Sequence, residues 1–338
     1  MRILFAGTPA IAVPALEALA GLHQEGGFCE LAGVLTNPDT AKGRIGAPTP
    51  SEVGAAAARI AEQRRLSFAI LKSESPDETC PCGVAGTGAD LLVSFAYGAF
   101  FSPEFLSLFP MGGINIHPSL LPKYRGASPI QSAILNRDSE TGISIQRLAA
   151  DLDSGDLLAQ ETIALTGAET SAVLGALAAE KGAALLVRTL RRLAEGTAAE
   201  TPQAHEEASY CDKLERADGR IDWRQSALDI DARIRAFTPW PLSYTRCAGM
   251  ELYILEAAPY RGSLAVGGAA CGAVLGADRN AGILIQTGDG VLAVSRLQYR
   301  TRKALDWRSF LNGARNFTGS LLDPPAGFTH RVHREKGA

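Results

Sequence analysis

The sequence predicts a two-domain α/β protein in which a doubly wound, mostly parallel sheet precedes a small β-barrel. The chain has 338 residues, and a typical domain takes roughly 150. Up to residue 197, short apolar runs alternate with helical patterns, which is typical of a parallel sheet covered by helices. Beyond Pro239 the apolar residues follow a period of two, and several short strands at regular spacing indicate a barrel.

The elements of the N-terminal part follow from apolar periodicity and from the residues that interrupt it. Val13, Leu16 and Leu19 form an apolar stripe at helical spacing after a first strand. Ser51 is a suitable N-cap for an Ala-rich helix. The predicted strands are Arg2–Ala6, Leu31–Leu35, Asp90–Phe95, Gly113–His117, Ile143–Leu148 and Leu157–Ile163, and the predicted helices are Glu52–Gln63, a short one begun by Pro103, and Ser171–Ala194.

A polar stretch between residues 194 and 213 separates the two patterns. We therefore predict an N-terminal domain at 1–197, a linker at 198–213 and a C-terminal domain at 214–338. Thr287–Gly290 is a strong hairpin signal within the second domain. Its predicted elements are a helix at Ser226–Phe237 and strands at Glu251–Glu256, Gly272–Leu275, Gly282–Thr287 and Val291–Leu297.

Composition excludes several classes of protein. Hydrophobic residues make up 46% and charged residues 20%, which fits neither a disordered nor a fibrous chain. Cys80 and Cys82 have no second pair at metal spacing, so no metal site is expected. The apolar run at Leu91–Phe101 is well short of the roughly 20 residues that a membrane span needs. We expect a soluble cytoplasmic protein.

The charge is distributed unevenly along the chain. The net charge is −3, which does not indicate a nucleic-acid-binding protein. From Ser295 to Ala338, however, nine Lys and Arg residues face three acidic ones, which leaves this region at +6. Such a cluster is either a solvated face or a footprint for phosphate groups, and composition does not choose between them.

The richest polar motif runs from Gly113 to Gly126. Asn115 and His117 are two residues apart on a predicted strand and share one face, at the carboxyl end where open α/β sheets bind ligands. An amide beside an imidazole is suited to holding an oxyanion and moving a proton. The alternative is a buried polar pair satisfied by loop backbone. The first strand lacks the glycine fingerprint of a dinucleotide-binding fold after Gly7, which argues against a dehydrogenase.

A second polar cluster, Asp151–Asp156, lies between the last two strands of the first domain. It contains three carboxylates and one glycine but does not fit the calcium-loop pattern. It is therefore either an ordinary acidic turn or a loop in which one carboxylate orients His117.

These motifs together resemble the folate-dependent formyltransferase family. The resemblance rests on Asn115-Ile116-His117, on Ser119–Gly126 and on Leu152–Asp156. The stretch Ile234–Pro241 resembles, more specifically, the members of that family that act on tRNA. The likeness extends over nearly the whole chain.

The resemblance implies a Rossmann-like formyltransferase domain followed by an OB-like C-terminal β-barrel that binds tRNA. It implies formyl transfer from 10-formyltetrahydrofolate, as co-substrate, to the α-amine of methionyl initiator tRNA, with no obligate protein partner. The implied catalytic residues are Asn115, His117 and Asp153. The implied folate contacts are Ser119, Leu120, Leu121, Pro122, Tyr97 and Gly98, and the implied tRNA contacts are Arg44, Arg302 and Lys303.

Departures from the family pattern fall outside the catalytic trio. Ala10-Ile11 follows the first turn where Asp-Phe is usual, Thr40 replaces an expected Arg, and Thr301–Lys303 replaces Gly-Lys-Lys. Two other functions stay open at this point. One is a formyltransferase or 10-formyltetrahydrofolate hydrolase that acts on a small-molecule amine, and the other is a catalytically silent folate- or RNA-binding module.

Overall fold

A computed structural model of the protein describes residues 1–41, 46–76, 81–262, 268–322 and 332–333. The strands in chain order are β1 (Arg2–Gly7), β2 (Glu30–Thr36), β3 (Thr40–Ala41), β4 (Pro48–Thr49), β5 (Ala69–Lys72), β6 (Leu91–Phe95), β7 (Gly113–His117), β8 (Arg125–Gly126), β9 (Glu140–Arg147), β10 (Leu157–Ala164), β11 (Tyr210–Cys211), β12 (Ser243–Cys247), β13 (Met250–Pro259), β14 (Val274–Asp278), β15 (Gly282–Gln286), β16 (Val291–Tyr299), β17 (Leu305–Asp306) and β18 (Val332–His333). The helices are α1 (Val13–Gln24), α2 (Glu52–Arg64), α3 (Pro81–Ala85), α4 (Pro103–Leu106), α5 (Pro129–Leu135), α6 (Ser171–Ala194), α7 (Ala227–Ala236) and α8 (Trp307–Gly313).

The N-terminal half is built on a seven-stranded sheet in the order β10-β9-β7-β6-β1-β2-β5. Its five members from β7 to β5 run parallel, whereas β9 and β10 pair antiparallel at one edge. β1 after Arg2 and the whole of β6 are apolar almost throughout and buried, as expected for strands covered on both faces. The predicted doubly wound α/β sheet is confirmed.

Side-chain caps fix the start of the predicted helices. The Ser51 hydroxyl accepts a hydrogen bond from the Gly54 N–H at 2.9 Å, as the sequence predicts for α2. Thr170 caps α6 in the same way, and this helix has the predicted bounds. Ser226 caps α7 through the Asp229 N–H.

The segment predicted as a linker, residues 198–213, packs along the first domain. Thr201 exchanges two backbone hydrogen bonds with Leu157 at the start of β10. Further along, β11 pairs in parallel with β8, and β18 pairs with the other side of β11. The polar composition that predicts a linker reflects side chains that bond to the first domain, as Gln203 does to the Gly155 carbonyl.

The C-terminal half is an antiparallel sheet in the order β12-β13-β16-β15-β14, with β17 also paired to β16. The Thr287–Gly290 segment turns β15 into β16, as predicted. The sequence does not predict β12, whose apolar alternation is weak. One face of the sheet packs with α7 on an apolar core that includes the fully buried Trp223. No ladder pairs β12 with β14 in the described residues.

The two halves share apolar core at the end of α7. Phe237 is fully buried and belongs to the same cluster as Ile130 of α5 and Leu174 of α6. The joint also carries polar contacts, because the Ser171 hydroxyl donates to the Thr238 carbonyl at 2.7 Å. Helix α7 therefore contributes to the cores of both domains.

No helix in the described part of the chain combines the length and the apolar character that a membrane span requires. Among the same residues, no three His, Cys, Asp or Glu side chains form a group that could hold a metal ion.

We expect Phe237→Ala to lower the free energy of unfolding by about 3–5 kcal/mol, because it empties a buried volume where the two cores meet. Leu228→Ala on the same helix is the matched control, since Leu228 is 53% exposed. Urea unfolding followed by fluorescence measures both variants. Equal stability of the two would contradict the role of α7 in the shared core.

Candidate active site

A cavity of about 640 Å³ opens at the carboxyl ends of β6 and β7. Its floor carries Asn115 and His117 from β7, and one wall is the loop from Ala96 to Phe101 after β6. Another wall is formed by residues 146–149, at the end of β9, and by residues 151–153. This is the edge of an open α/β sheet at which ligands bind.

The structure brings Asn115, His117 and Asp153 together. The Asn115 Nδ2 donates to Asp153 Oδ1 at 3.4 Å, and His117 Nδ1 lies 3.6 Å from Asp153 Oδ2. His117 is buried and the side chain of Asp153 is largely so. Both contacts are longer than a strong hydrogen bond, and catalytic hydrogen bonds are often long before substrate binds.

The orientation of the His117 ring is fixed by a backbone group. Its Nε2 lies 2.8 Å from the Tyr124 carbonyl oxygen. A carbonyl only accepts, so Nε2 carries a hydrogen and donates it. Nδ1 is therefore the nitrogen that can gain or lose a proton on the side of Asp153.

The Asp153 carboxylate is held by donors from three segments. Gln146 Nε2 donates to Oδ1 at 2.8 Å and the Gly126 N–H donates to Oδ2 at 2.9 Å, in addition to Asn115. Asn115 and Gln146 are direct partners in the β7–β9 ladder, which places their amides side by side. The carboxylate is thus rigidly placed.

Backbone strain is concentrated around this cavity. Ala96, Tyr124 and Asp153 have φ values of 50°, 60° and 50°, in the left-handed region that L-residues seldom adopt. Each such residue costs on the order of 1–3 kcal/mol and persists only where surrounding contacts hold it. Such clusters are typical of functional sites.

Two further polar side chains, Gln203 and Arg125, support the loop that carries Asp153. Gln203 Nε2 donates to the backbone carbonyls of Gly155 (2.6 Å) and Asp153 (3.0 Å) and also to Gln146 Oε1 (3.1 Å). Its Oε1 accepts from the guanidinium of Arg125. Gln203 is buried, although it comes from the segment predicted as a linker.

Two further groups near the site have shifted acidities. Burial, followed by the hydrogen bond to Asp138, raises the pKa of the Tyr124 hydroxyl well above its ordinary value. Burial raises the pKa of the Cys211 thiol to about 11. Both groups therefore stay protonated at neutral pH, and both donate hydrogen bonds within the protein, Tyr124 to Asp138 and Cys211 to the Arg125 carbonyl.

Comparison with known proteins assigns this architecture. The family "Formyl transferase" matches residues 1–190, and "Formyl transferase, C-terminal domain" matches residues 213–315. The chain belongs to the formyl transferase family.

Relatives of known name align with this formyl transferase over nearly the whole of its chain. The methionyl-tRNA formyltransferase of Treponema denticola is 42% identical over 94% of this chain and 98% of its own. Those of Solibacter usitatus and Borrelia duttonii are 39% and 35% identical, over 93% and 95% of this chain and 96% and 100% of theirs.

Solved structures of the same fold are more distant in sequence. WlaRD, a sugar 3N-formyl transferase, superposes with a TM-score of 0.61 at 18% identity, over 90% of this chain and 99% of its own. HypX from Aquifex aeolicus in complex with tetrahydrofolic acid gives a TM-score of 0.58 at 18% identity, over 94% of this chain and 48% of its own. These likenesses show the fold.

The residues predicted to contact folate fall into two groups in this formyl transferase. Tyr97 and Gly98 line the cavity. The stretch Ser119–Pro122 is not among the residues that line it. In this stretch the Ser119 hydroxyl donates to the Lys123 carbonyl, and the Leu121 N–H donates to Ser144 Oγ. Contact of this stretch with folate stays a prediction.

The residues predicted to contact tRNA lie away from the cavity or outside the described residues. Arg44 belongs to the latter group. Arg302 and Lys303 are exposed in the turn between β16 and β17, where Arg302 lies over the Tyr299 ring at 5.8 Å.

Sequence reasoning missed Gln146 and Gln203. Gln146 reaches the site through the register of an antiparallel pair, which no local pattern encodes. Gln203 lies in a polar stretch that has the composition of a linker. Gly126, by contrast, is the last residue of the polar motif that runs from Gly113, so the sequence does offer a signal for it.

We expect Gly126→Ala to destabilise the protein by more than about 3 kcal/mol and to release the Asp153 loop. Gly126 has a φ of +115°, and an added Cβ would lie 2.3 Å from the Cys211 carbonyl oxygen across the β8–β11 pair. Gly98→Ala is the matched control, because Gly98 has a φ of +95° and nothing within 4 Å of the added atom. Thermal unfolding compares the two, and equal losses would contradict the steric argument.

Proposed function

We propose that the protein transfers the formyl group of 10-formyltetrahydrofolate to the α-amine of methionyl initiator tRNA. The observation that carries this proposal is the full-length similarity to relatives named methionyl-tRNA formyltransferase, through both domains. The polar trio at the base of the cavity supplies the groups that such a transfer needs.

The cavity suits the formyl donor in size and lining. A volume of about 640 Å³ falls within the range of roughly 300–1,000 Å³ that is usual for small-molecule sites. Its wall is aromatic, with Tyr97 stacked on Phe101 at 5.4 Å, while Asn115, His117 and Asp153 supply polar groups at one end. We assign the aromatic wall to the donor's ring system.

The reaction requires no covalent enzyme intermediate. An α-amino group titrates at a pKa of about 7.7–8.0 and is a nucleophile when neutral. Its nitrogen forms a bond to the formyl carbon, and the carbonyl electrons move to oxygen. The bond from that carbon to N10 of the folate then breaks, and N10 takes up a proton.

Asn115 and His117 are placed to stabilise the oxyanion. The Asn115 amide uses one N–H on Asp153, and its second N–H remains for the cavity. Removal of one such donor typically costs 10²- to 10³-fold in kcat. His117 can offer Nδ1–H when it is protonated, because its Nε2–H is already committed to the Tyr124 carbonyl.

The reaction must also move a proton, and we propose that it passes through His117 Nδ1. The attacking amine must lose a proton and N10 must gain one, so the site needs a group that exchanges a proton at one fixed position. His117 Nδ1 is that group in our proposal. Asp153, 3.6 Å away, would stabilise the imidazolium while the Gln146 and Gly126 donors keep the carboxylate in place.

The C-terminal domain supplies positive charge for the nucleic-acid acceptor. Between Ser295 and Leu322 six basic residues face one acidic residue. Arg302 and Lys303 are exposed within this stretch, next to the aromatic ring of Tyr299. We propose that they contact tRNA phosphates, which would make affinity depend strongly on salt.

We expect rapid formyl transfer to methionyl initiator tRNA, with methionyl elongator tRNA and free methionine as much poorer acceptors. The measurement is the initial rate with each acceptor, offered in parallel with 10-formyltetrahydrofolate. Transfer to small amines alone would overturn the tRNA assignment while leaving the site intact, and would identify the protein as a small-molecule formyltransferase. Release of formate with no acceptor dependence would indicate a hydrolase.

We expect Asp153→Asn to lower kcat by about 10²- to 10⁴-fold, since a neutral amide neither stabilises an imidazolium nor orients it as a carboxylate does. Binding of the folate donor should change little. Asp278→Asn on β14 is the control, because that carboxylate bonds only within the C-terminal domain. Single-turnover rates and donor affinity by fluorescence decide the matter, and an unchanged kcat would remove Asp153 from the mechanism.

A further inference from the structure

A second cavity, of about 230 Å³, adjoins the candidate active site. It shares Asp151 and Leu152 with the larger cavity. The other lining residues are Arg125 of β8, Tyr210 of β11, Ser154, and His205 from the segment 198–213. Because β8 and β11 are parallel neighbours in which Arg125 pairs with Tyr210, the cavity has a regular hydrogen-bonded base.

The main feature of this cavity is a buried cation with neutral partners. Arg125 is 2% exposed, and no acidic side chain in the described part of the chain forms an ion pair with it. Its hydrogen bonds go to Gln203 Oε1, to the Tyr210 hydroxyl at 3.3 Å and to His205 Nδ1 at 3.1 Å. A guanidinium is always charged in proteins, and a buried charge without a counter-charge is costly.

The proton positions of the neighbours follow from these bonds. A guanidinium only donates, so His205 Nδ1 accepts and its ring hydrogen is on Nε2. The Tyr210 hydroxyl accepts from Arg125 Nη1, which leaves its own hydrogen free to donate. Arg125 has five N–H groups, and four are used in bonds to described residues, which leaves one on Nη1.

The cavity is therefore lined by unused donors around one positive charge. Donors converging on a buried guanidinium are the arrangement that binds phosphate or carboxylate groups. The one carboxylate on its wall belongs to Asp151, which is exposed and opposes an anion.

We propose that this cavity binds the phosphodiester nearest to the aminoacylated end of the acceptor. The inference rests on the proposed function, which places the methionine α-amine at Asn115, His117 and Asp153. Only one ribose and one ester group separate that amine from the nearest phosphate. The shared wall at Asp151 and Leu152 makes the two cavities neighbours in the way this connection requires.

The test compares two minimal acceptors with the full-length protein. One is methionine esterified to adenosine, which carries no phosphate, and the other is methionine esterified to cytidylyl-adenosine, which carries one phosphodiester. We expect kcat/KM for the second to exceed that for the first by about tenfold or more, the size of one charge-assisted hydrogen-bonded contact.

Four variants assign that preference to the cavity. Tyr210→Phe and His205→Ala each remove one donor at a partly or fully exposed position and should reduce the preference several-fold, as should Arg125→Lys. Asp151→Asn removes the opposing charge and should increase it. Tyr260→Phe is the matched control, because its hydroxyl bonds to Asp278 in the C-terminal domain.

Two results would overturn the proposal. One is a phosphodiester preference that is unchanged in Tyr210→Phe and His205→Ala. The other is a rise in the KM of the formyl donor in these variants that disappears when the donor lacks its glutamate carboxylates, which would assign the cavity to the folate tail.

Equilibrium binding of unacylated cytidylyl-adenosine separates this proposal from the proposed function. If the wild-type protein formylates neither the esters nor methionyl initiator tRNA, the proposed function fails while the cavity is still tested. Binding that weakens in Tyr210→Phe and His205→Ala would then support the subsite, and equal binding by all variants would refute it.

Discussion

The Asp153 carboxylate holds together the parts of the chain that form the cavity, because its two oxygens bond to three separate segments. Asn115 is on a parallel strand, Gln146 is on the antiparallel strand beside it, and Gly126 is the last residue of the short strand β8. These bonds keep Asp153 in a left-handed backbone conformation that costs on the order of 1–3 kcal/mol. The position of the His117 partner thus depends on correct assembly of the whole sheet edge.

The loop that carries Asp153 is itself held in place by the Gln203 side chain. Gln203 bonds to the backbone on both sides of Ser154 and connects it to Arg125, so a neutral amide links the catalytic loop to a buried cation. A carboxylate at residue 203 would neutralise Arg125 but could not donate to those carbonyls. The amide therefore holds the loop and leaves the positive charge uncompensated.

Much of the fold could be predicted from the sequence because it is encoded locally. Helix Ser171–Ala194 and strand Gly113–His117 have the predicted bounds, since Thr170 caps the helix and Ile114 and Ile116 alternate with polar residues along the strand. Asn115 and His117 could be paired because alternate residues of a strand share a face. Strand β12 could not, because its residues Ser243–Cys247 carry little apolar alternation.

The rest of the site depends on long-range pairing. Gln146 meets Asn115 only through the antiparallel register of β7 and β9. Ser119–Pro122 belong to the motif that resembles the family, and the structure shows the Ser119 hydroxyl and the Leu121 N–H bonded within the protein; their contact with folate stays a prediction. The segment 198–213 shows that polar composition in a chain can mean buried hydrogen bonding rather than exposure.

The burial of Phe237 in the apolar core of the first domain constrains how the two halves of the chain can be separated in evolution. A gene fragment that ends before α7 would encode every residue of the polar trio but would leave a hole beside Ile130 and Leu174. The resulting protein would expose apolar surface at the point where the second half begins. The catalytic half could become an independent enzyme only if a new side chain filled that hole, so loss or exchange of the C-terminal domain requires a compensating change in the first.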